Sequence, residues 1–404
     1  MSQASANTNN HRGFWWLIAF LFFLALAATL RYIQPLPTMK PASLFQAATV
    51  SSRRLVWPSG GEEAVGAVGY GLLATGGNQT PRPTASVAKL ITSLAVLQKY
   101  PLNTGEQGPT LTLTAADVAI YQKYLSEGGS VAAVQAGEQI TEYQALEAMM
   151  LPSANNMADT LAIWAFGSLP SYSSYANQMV DSMGLYHTHV GSDASGFLPD
   201  TTSTATDLVS LGFKVLQNPV LRQIIAEKSA TIPVAGVIHN VNYLLGYDGI
   251  VGIKTGNSNQ AGGVYLFASQ KSIVPDHTVT IIGAIEGLPT LADAVSVSLP
   301  LLNSVAANFT YTTVVKAGQI VGKYVTPWGN SSVPVAASTS LRAVVWGGRP
   351  PDVKVDLQAL RAPKAKGSAV GSISVSSNTV TVPAVLAQSI PKPTLFWRVL
   401  HHNL

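Results

Sequence analysis

Three short motifs carry residue types able to do chemistry together: Ser86-Val87-Ala88-Lys89, Ser153-Ala154-Asn155 and Lys254-Thr255-Gly256. A serine hydroxyl is a poor nucleophile until a neighbouring base takes its proton. Residues i and i+3 of a helix share a face, so the Lys89 amine can reach the Ser86 oxygen. Lysine works as a base when burial or a nearby cation lowers its pKa. Lys254, brought alongside, would do that while attracting an anionic substrate end. Ser153 can relay a proton to a leaving amine, and Asn155 can hold a substrate amide or the Lys89 side chain. Thr255 offers a hydroxyl to a terminal carboxylate. A helix opening at Ser86 would also set backbone N–H groups where an oxyanion develops. The chemistry these residues describe is nucleophilic acyl transfer. Each motif alone is weak, and it is their order, spacing and context that give them weight.

The elements that must position these groups follow from periodicity and punctuation. Residues 85–97 read as a helix after Pro81 and Pro83, which places Ser86 at its start. Residues 141–150 and 153–164 read as helices interrupted by Pro152, leaving Ser153 between them. Residues 249–254, 263–268 and 278–285 read as buried strands, with Lys254 ending the first. Residues 54–57 and 64–73 alternate around Pro58-Ser59-Gly60-Gly61, which predicts a hairpin. Residues 110–118 pass from strand into a helix with Thr114 as N-cap, and 206–216 and 220–227 are further helical periods. Beyond residue 300 the pattern changes to short strand-like runs at 314–325, 332–337, 341–345, 353–357 and 369–380, the signature of a small all-β module. The fold expected is therefore a mixed α/β body followed by an all-β domain. Its boundaries fall at 1–40 for a membrane segment and stem, 41–303 for a catalytic domain, 304–391 for the β-rich domain and 392–404 for a tail. That tail sets Phe396, Trp397, Val399 and Leu400 beside Arg398, His401 and His402, a short candidate for an interfacial segment.

Composition narrows the class. The chain is 47% hydrophobic and 11% charged, against about 25% charged in an average soluble domain, which excludes charge-driven disorder. It has no cysteine, so a disulfide framework, a thiolate metal site and a Cys nucleophile are all excluded. Residues 304–404 hold ten Lys/Arg against Asp352 and Asp356, a net +8 that leaves −4 for residues 1–303. Such a basic module suits an anionic neighbour or a solvated basic face. Residues 14–30 are apolar apart from Thr29 and lie between Arg12 and Arg31. They read as a retained signal anchor, or as a cleaved signal with Ala25-Leu26-Ala27 as its site. Either reading puts the bulk of the protein at the extracytoplasmic face of the membrane, or secreted.

On these residues the chain resembles the penicillin-recognising serine acyl-transferases, in particular their low-molecular-mass D-alanyl-D-alanine carboxypeptidase branch. The stretch TASVAKLITSLAVL (84–97) is similar to that branch's nucleophile helix, and AGEQITEYQALEAMMLPSANNMADTLA (136–162) to its second-motif region. MGLYHTHVGSDASGFLPDTTSTATDL (183–208) is similar to the intervening segment, and GIVGIKTGNSNQAGG (249–263) to the third-motif strand and turn. LRAPKAKGSAVGSISV (360–375) carries the likeness into a β-rich C-terminal domain. The resemblance implies an antiparallel sheet flanked by helices, no metal or cofactor, and a peptidoglycan stem peptide ending in D-Ala-D-Ala as substrate, with β-lactams as covalent inhibitors. It implies Ser86 as the acylated nucleophile and Lys89 as general base. Ser153 and Asn155 become the proton-relay and positioning pair. Lys254, Thr255, Gly256 and Asn257 become the substrate-binding set, with the backbone N–H groups of Ser86 and Asn257 as oxyanion hole. Asn257 stands where the family often has His; a backbone contribution tolerates that change.

The rival readings are weaker. A class A β-lactamase deacylates with a glutamate between its second and third motifs. Here the sole Glu between Asn155 and Lys254 is Glu227, which reads as a solvated pair with Lys228. A D,D-endopeptidase acting on cross-links shares every motif, and an inert wall-binding protein would not need the reactive side chains. His187-x-His189 lacks a third zinc ligand. Asp193 and Asp207 read as turn or cap formers rather than as acids behind the site. Nucleic-acid binding through the basic module fails on compartment.

Overall fold

The structure, a computed structural model, describes residues 9–376 and 380–401. It divides into two compact units, residues 52–310 and residues 1–51 with 311–404. The sequence reading opens the catalytic body at 41, but the unit opens at Ser52. The reason is local pairing: Met39 bridges Leu360, and the strand Pro41–Ser43 pairs with Ile320–Val325.

The unit 52–310 is built on a five-stranded sheet in the order Ile250–Ser258, Gly262–Val274, His277–Leu288, Glu62–Ala67, Gly71–Gly76. Every pairing is antiparallel. Glu62–Ala67 is buried at every residue and residues 263–268 likewise, as strands covered on both faces are. The helices Leu291–Ala306 and Ala205–Gln217 pack on the sheet. Around the helix Lys89–Lys99, itself buried from Lys89 to Leu97, gather Glu142–Met150, Asn155–Phe166 and Leu169–Ser182. The helix starts are capped as their sequences dictate. Thr114 and Thr141 form capping boxes with Asp117 and Gln144, and Pro170 and Pro219 enter at first-turn positions behind Ser168 and Asn218.

The expected hairpin lies elsewhere. Residues 54–57 form no strand, and the turn joins Ala67 to Gly71 through Val68, Gly69 and Tyr70. The Pro-Gly run 58–61 only leads into the first strand. That strand begins with two buried carboxylates, which the polar–apolar pattern could not place inside. Glu62 is buried because it accepts from the Thr80 backbone and hydroxyl and from Arg82.

The other unit is a six-stranded sheet in the order Pro41–Ser43, Ile320–Val325, Ser332–Ala337, Thr381–Leu386, Ala369–Val375, Val353–Leu357, with Phe309–Val315 paired to Leu341–Trp346. The run expected as a single strand at 314–325 is two pieces, and within the run at 369–380 the strand covers Ala369–Val375. Val315 and Ile320 are separated by a turn at Ala317-Gly318, and the end of the second run falls partly on residues outside those described. The helix Asn9–Ile33 begins this unit, and its segment Arg12–Ile33 is long and apolar enough to cross a membrane. At its C-terminal end the short helix Leu395–Leu400 packs beside it. Arg31 donates to the Val399 carbonyl, Arg398 donates to the Gln34 carbonyl, and the Arg398 guanidinium lies over the Tyr32 ring. His402 lies outside the described residues.

Candidate active site

Ser86 is presented by a turn and not by a regular α-helix. Ala85–Ala88 form a 3-10 segment that runs into Lys89–Lys99. Ala85 enters at φ +44, a left-handed conformation that a Cβ disfavours. From this segment Ser86 is half-buried while Lys89 is 0% exposed. The Lys89 Nζ donates to Ser86 Oγ at 2.8 Å, to Asn155 Oδ1 at 2.7 Å and to the Ser195 carbonyl at 3.0 Å. Three acceptors fix the amine against the Ser86 hydroxyl.

A second lysine–serine pair stands beside the first. Lys254, on the edge strand, donates from Nζ to Ser153 Oγ at 2.9 Å and to the Thr255 carbonyl at 3.1 Å. Ser153 holds φ +65 in the loop before Asn155–Phe166, a conformation uncommon for non-Gly residues. Thr255 and Gly256 are buried and Asn257 is exposed. Gly256 is a contact residue of a particular kind. A Cβ there would sit 3.0 Å from the Thr84 carbonyl and 3.2 Å from the Ser86 nitrogen, so its lack of side chain is what lets the strand close on the nucleophile turn.

Burial dominates the electrostatics. Desolvation pushes the Lys89 amine well below the ordinary lysine range. The neighbouring Lys254 charge pushes it further, while Asp193 and Asp159 oppose the change. Desolvation alone brings Lys254 down to about 7. Both amines are thereby shifted toward their neutral forms, Lys254 titrating near neutrality.

The structure also brings in residues that the motifs do not name. Asp193 accepts from the Ser195 N–H and hydroxyl and from the Phe197 and Leu198 N–H groups. It thereby holds the loop whose Ser195 carbonyl receives Lys89. Asp159 accepts from Tyr124 Oη and the Ala194 N–H. Asp193 is thus a turn former, as its sequence context suggests, and also one of the charges that set Lys89. Asp159 lies four residues after Asn155 on one helix face, a spacing that could have flagged it. Asp207 holds the turn at His187 and Thr188, and His189 bridges Thr202.

Glu227 differs from the solvated pair expected. It caps the helix Pro219–Ala226, accepts from Tyr143 Oη at 2.7 Å and from Gln223, and lies beside Glu147. The reason is that the helix ends at Ala226, which turns the Glu227 side chain back toward Glu142–Met150. It does not line the cleft, whose walls are formed by Ser86, residues 127–130, Ser153, Asn155, residues 196–199, Val241, residues 255–260 and Leu291.

A half-buried serine bonded to a buried lysine amine, with a second lysine–serine pair alongside, on an antiparallel sheet backed by helices, defines a penicillin-recognising serine acyl-transferase. Residues 68–283 match the family model described as D-alanyl-D-alanine carboxypeptidase, and the chain belongs to that family of serine peptidases. D-alanyl-D-alanine carboxypeptidase DacB2 of Mycobacterium tuberculosis is 30% identical over 208 residues, which cover 50% of this chain and 66% of that protein. D-alanyl-D-alanine carboxypeptidase DacA of Escherichia coli K12 is 25% identical over 336 residues, covering 80% of this chain and 81% of its own length. Among solved structures, the D-alanyl-D-alanine carboxypeptidase DacD of Francisella tularensis shares the fold with a TM-score of 0.61 at 18% identity, over 86% of this chain and 97% of that one. Penicillin-binding protein 5 of Haemophilus influenzae does so with a TM-score of 0.58 at 20% identity, over 83% and 100%.

Proposed function

We propose that this chain is a serine D,D-carboxypeptidase that removes the terminal D-Ala from peptidoglycan stem peptides through an acyl-Ser86 intermediate. Lys89 takes the Ser86 proton as Oγ attacks the carbonyl of the penultimate D-Ala, and the backbone N–H groups of Ser86 and Asn257 receive the oxyanion. Lys254 and Thr255 hold the terminal carboxylate. Ser153, bonded to Lys254, passes a proton to the leaving D-Ala amine, and Asn155 keeps Lys89 in place. Water then attacks the acyl-enzyme, releasing the shortened peptide and returning the Ser86 proton. A β-lactam presents a strained amide and a carboxylate in the same relation and acylates the same oxygen. The apolar segment Arg12–Ile33 anchors the chain in the membrane, with the catalytic unit at its extracytoplasmic face.

The observation that carries this reading is the pair of lysine–serine hydrogen bonds, Lys89 to Ser86 and Lys254 to Ser153. The test is release of D-Ala from a peptide ending in Lys-D-Ala-D-Ala, alongside the intact mass after penicillin treatment. Wild-type chain should release D-Ala and gain one adduct, and Ser86→Ala should do neither. Cleavage confined to cross-linked muropeptides would identify an endopeptidase instead. An adduct persisting in Ser86→Ala would refute the nucleophile.

A further inference from the structure

Glu286 is a buried acid that acyl transfer does not use. It lies near the end of the strand His277–Leu288, directly opposite Glu62 in the antiparallel register. Residues so paired share a face of the sheet, and like charges there repel. Both are out of water, Glu62 2% and Glu286 0% exposed. Their partners differ. Glu62 accepts from the Thr80 N–H at 2.6 Å, from the Thr80 hydroxyl and from Arg82 Nε at 3.1 Å. Neither oxygen of Glu286 has a formed hydrogen bond. Burial pushes the Glu286 carboxyl well above its usual range. The Glu62 charge and, less strongly, Asp207 on the helix Ala205–Gln217 push the same way, against the Arg82 guanidinium and the Ala205 N–H. Arg82 is the single cation among these groups. The neighbouring strand carries only Gly263, Val264 and Tyr265 at this level, with the Tyr265 hydroxyl bonded to Asn242. Asp293, on the helix Leu291–Ala306, is turned to its own cap at Thr290. Among the described residues, no group of acids or histidines is placed to hold a metal there.

The segment that Glu62 holds leads to Ser86. Thr80 and Arg82 are fixed to Glu62, Pro83 pairs with Thr202, and the Thr84 N–H donates to the Thr201 carbonyl at 3.0 Å. Ala85 then turns at φ +44, and Ser86 follows. The Arg82 side chain also lies across the residue after Glu286. A Cβ on Gly287 would meet Arg82 Cδ and Nε at 3.2 Å and Cζ at 3.3 Å. Arg82 is therefore bonded to one of the paired acids and adjacent to the other. With one carboxylate it has one partner. With two it is shared, and the short link to Ser86 moves with it.

We infer that Glu286 is a positioning residue for Ser86: as a neutral acid it leaves Arg82 to Glu62 alone, and on ionising it draws Arg82 from Glu62 and unseats the turn that presents the hydroxyl to Lys89. The inference rests on the acyl-Ser86 reading and adds a control on it. Loss of the Glu286 proton slows acylation independently of either lysine, because a small displacement of the reacting oxygen carries a large cost in rate.

The test follows penicillin acylation of the full chain by stopped flow across neutral and alkaline pH, in wild type and in Glu286→Gln, which is fixed in the neutral form. The ratio of the two rates cancels the titration of Lys89 and Lys254, which both chains share. Infrared difference spectra between them should show a carboxylic-acid C=O band in wild type at neutral pH that the variant lacks. The rate ratio should rise in favour of the variant, roughly tenfold, over the pH range in which that band disappears. Glu286→Leu, also neutral, should give the same rise and replaces the amide if that chain does not fold. A ratio that stays flat while the band vanishes overturns the inference and leaves the acyl-Ser86 reading intact. So does the absence of any band that Glu286→Gln removes, or a band that persists until the chain unfolds in alkali. A folded wild type that gains no penicillin adduct overturns that reading and the inference with it.

Discussion

Two lysines do different work at Ser86 because their surroundings differ. Lys89 is buried with a like charge nearby, which lowers its pKa and readies it to accept a proton, against three acceptors that hold the amine in place. Lys254 is depressed by burial to about 7 and must be charged to attract a carboxylate. The sign follows directly. As pH falls, Lys89 protonates and ceases to act as base; as pH rises through about 7, Lys254 loses the proton that binds substrate. The kcat/KM profile should therefore be bell-shaped, with its alkaline limb starting near neutrality and falling up to tenfold per unit. Lys254→Arg should move that limb out of range, because a guanidinium stays charged. An unchanged alkaline limb in Lys254→Arg would show that another group titrates there. This much of the site was legible because acyl transfer needs particular residue types at helical and strand spacings. Tyr124 was not, because it reaches the site only through Asp159 from another helix, and Asp159 was signalled by nothing but its i+4 spacing from Asn155. Glu227 misled for a related reason: an adjacent Lys in sequence says nothing about which way a helix end turns a side chain.

The elements hold these groups through close backbone approach. The strand Ile250–Ser258 lies against the nucleophile turn at Gly256, which pairs with Val264 on its other side. Substituting Ala there puts a methyl 3.0 Å from the Thr84 carbonyl and 3.2 Å from the Ser86 nitrogen. The turn or the strand must give by a few tenths of an ångström, and displacement of reacting groups is costly out of proportion to its size. Gly256→Ala should slow penicillin acylation roughly tenfold or more, with the melting temperature little changed, measured by stopped-flow acylation and calorimetry. Acylation at the wild-type rate would show that the close approach is not needed. The antiparallel strands and helices around the motifs were readable from apolar runs and caps. The hairpin between Glu62 and Gly76 was not. Its first strand begins with two carboxylates and is buried on both faces, which erases alternation, and its turn at Val68-Gly69-Tyr70 is less conspicuous than the Pro-Gly run before it.

At the scale of the whole molecule, charge is divided more sharply than the sequence boundary suggests. Residues 1–51 with 311–404 hold thirteen Lys/Arg against Asp352 and Asp356, a net +11; residues 52–310 hold eleven against eighteen Asp/Glu, a net −7. The division follows pairing, since the segment after the apolar helix joins the β-rich sheet and brings Lys40 with it, while Arg12 and Arg31 lie on the helix itself. All three motifs lie in the acidic unit, and the apolar helix and basic surface lie in the other. Each Lys or Arg near an anionic membrane contributes about 1 kcal/mol of attraction, screened within a Debye length. Attachment and catalysis should therefore separate. A fragment of residues 52–310, which keeps the sheet, the capped helices and every cleft residue, should turn over a soluble D-Ala-D-Ala peptide within a few-fold of the full chain. It should not sediment with anionic vesicles or wall sacculi, whereas a chain starting at residue 34, without the apolar helix, should sediment at low salt and release as salt rises. Loss of turnover in the 52–310 fragment, with its circular dichroism intact, would show that the β-rich unit shapes the site and does more than hold it in place.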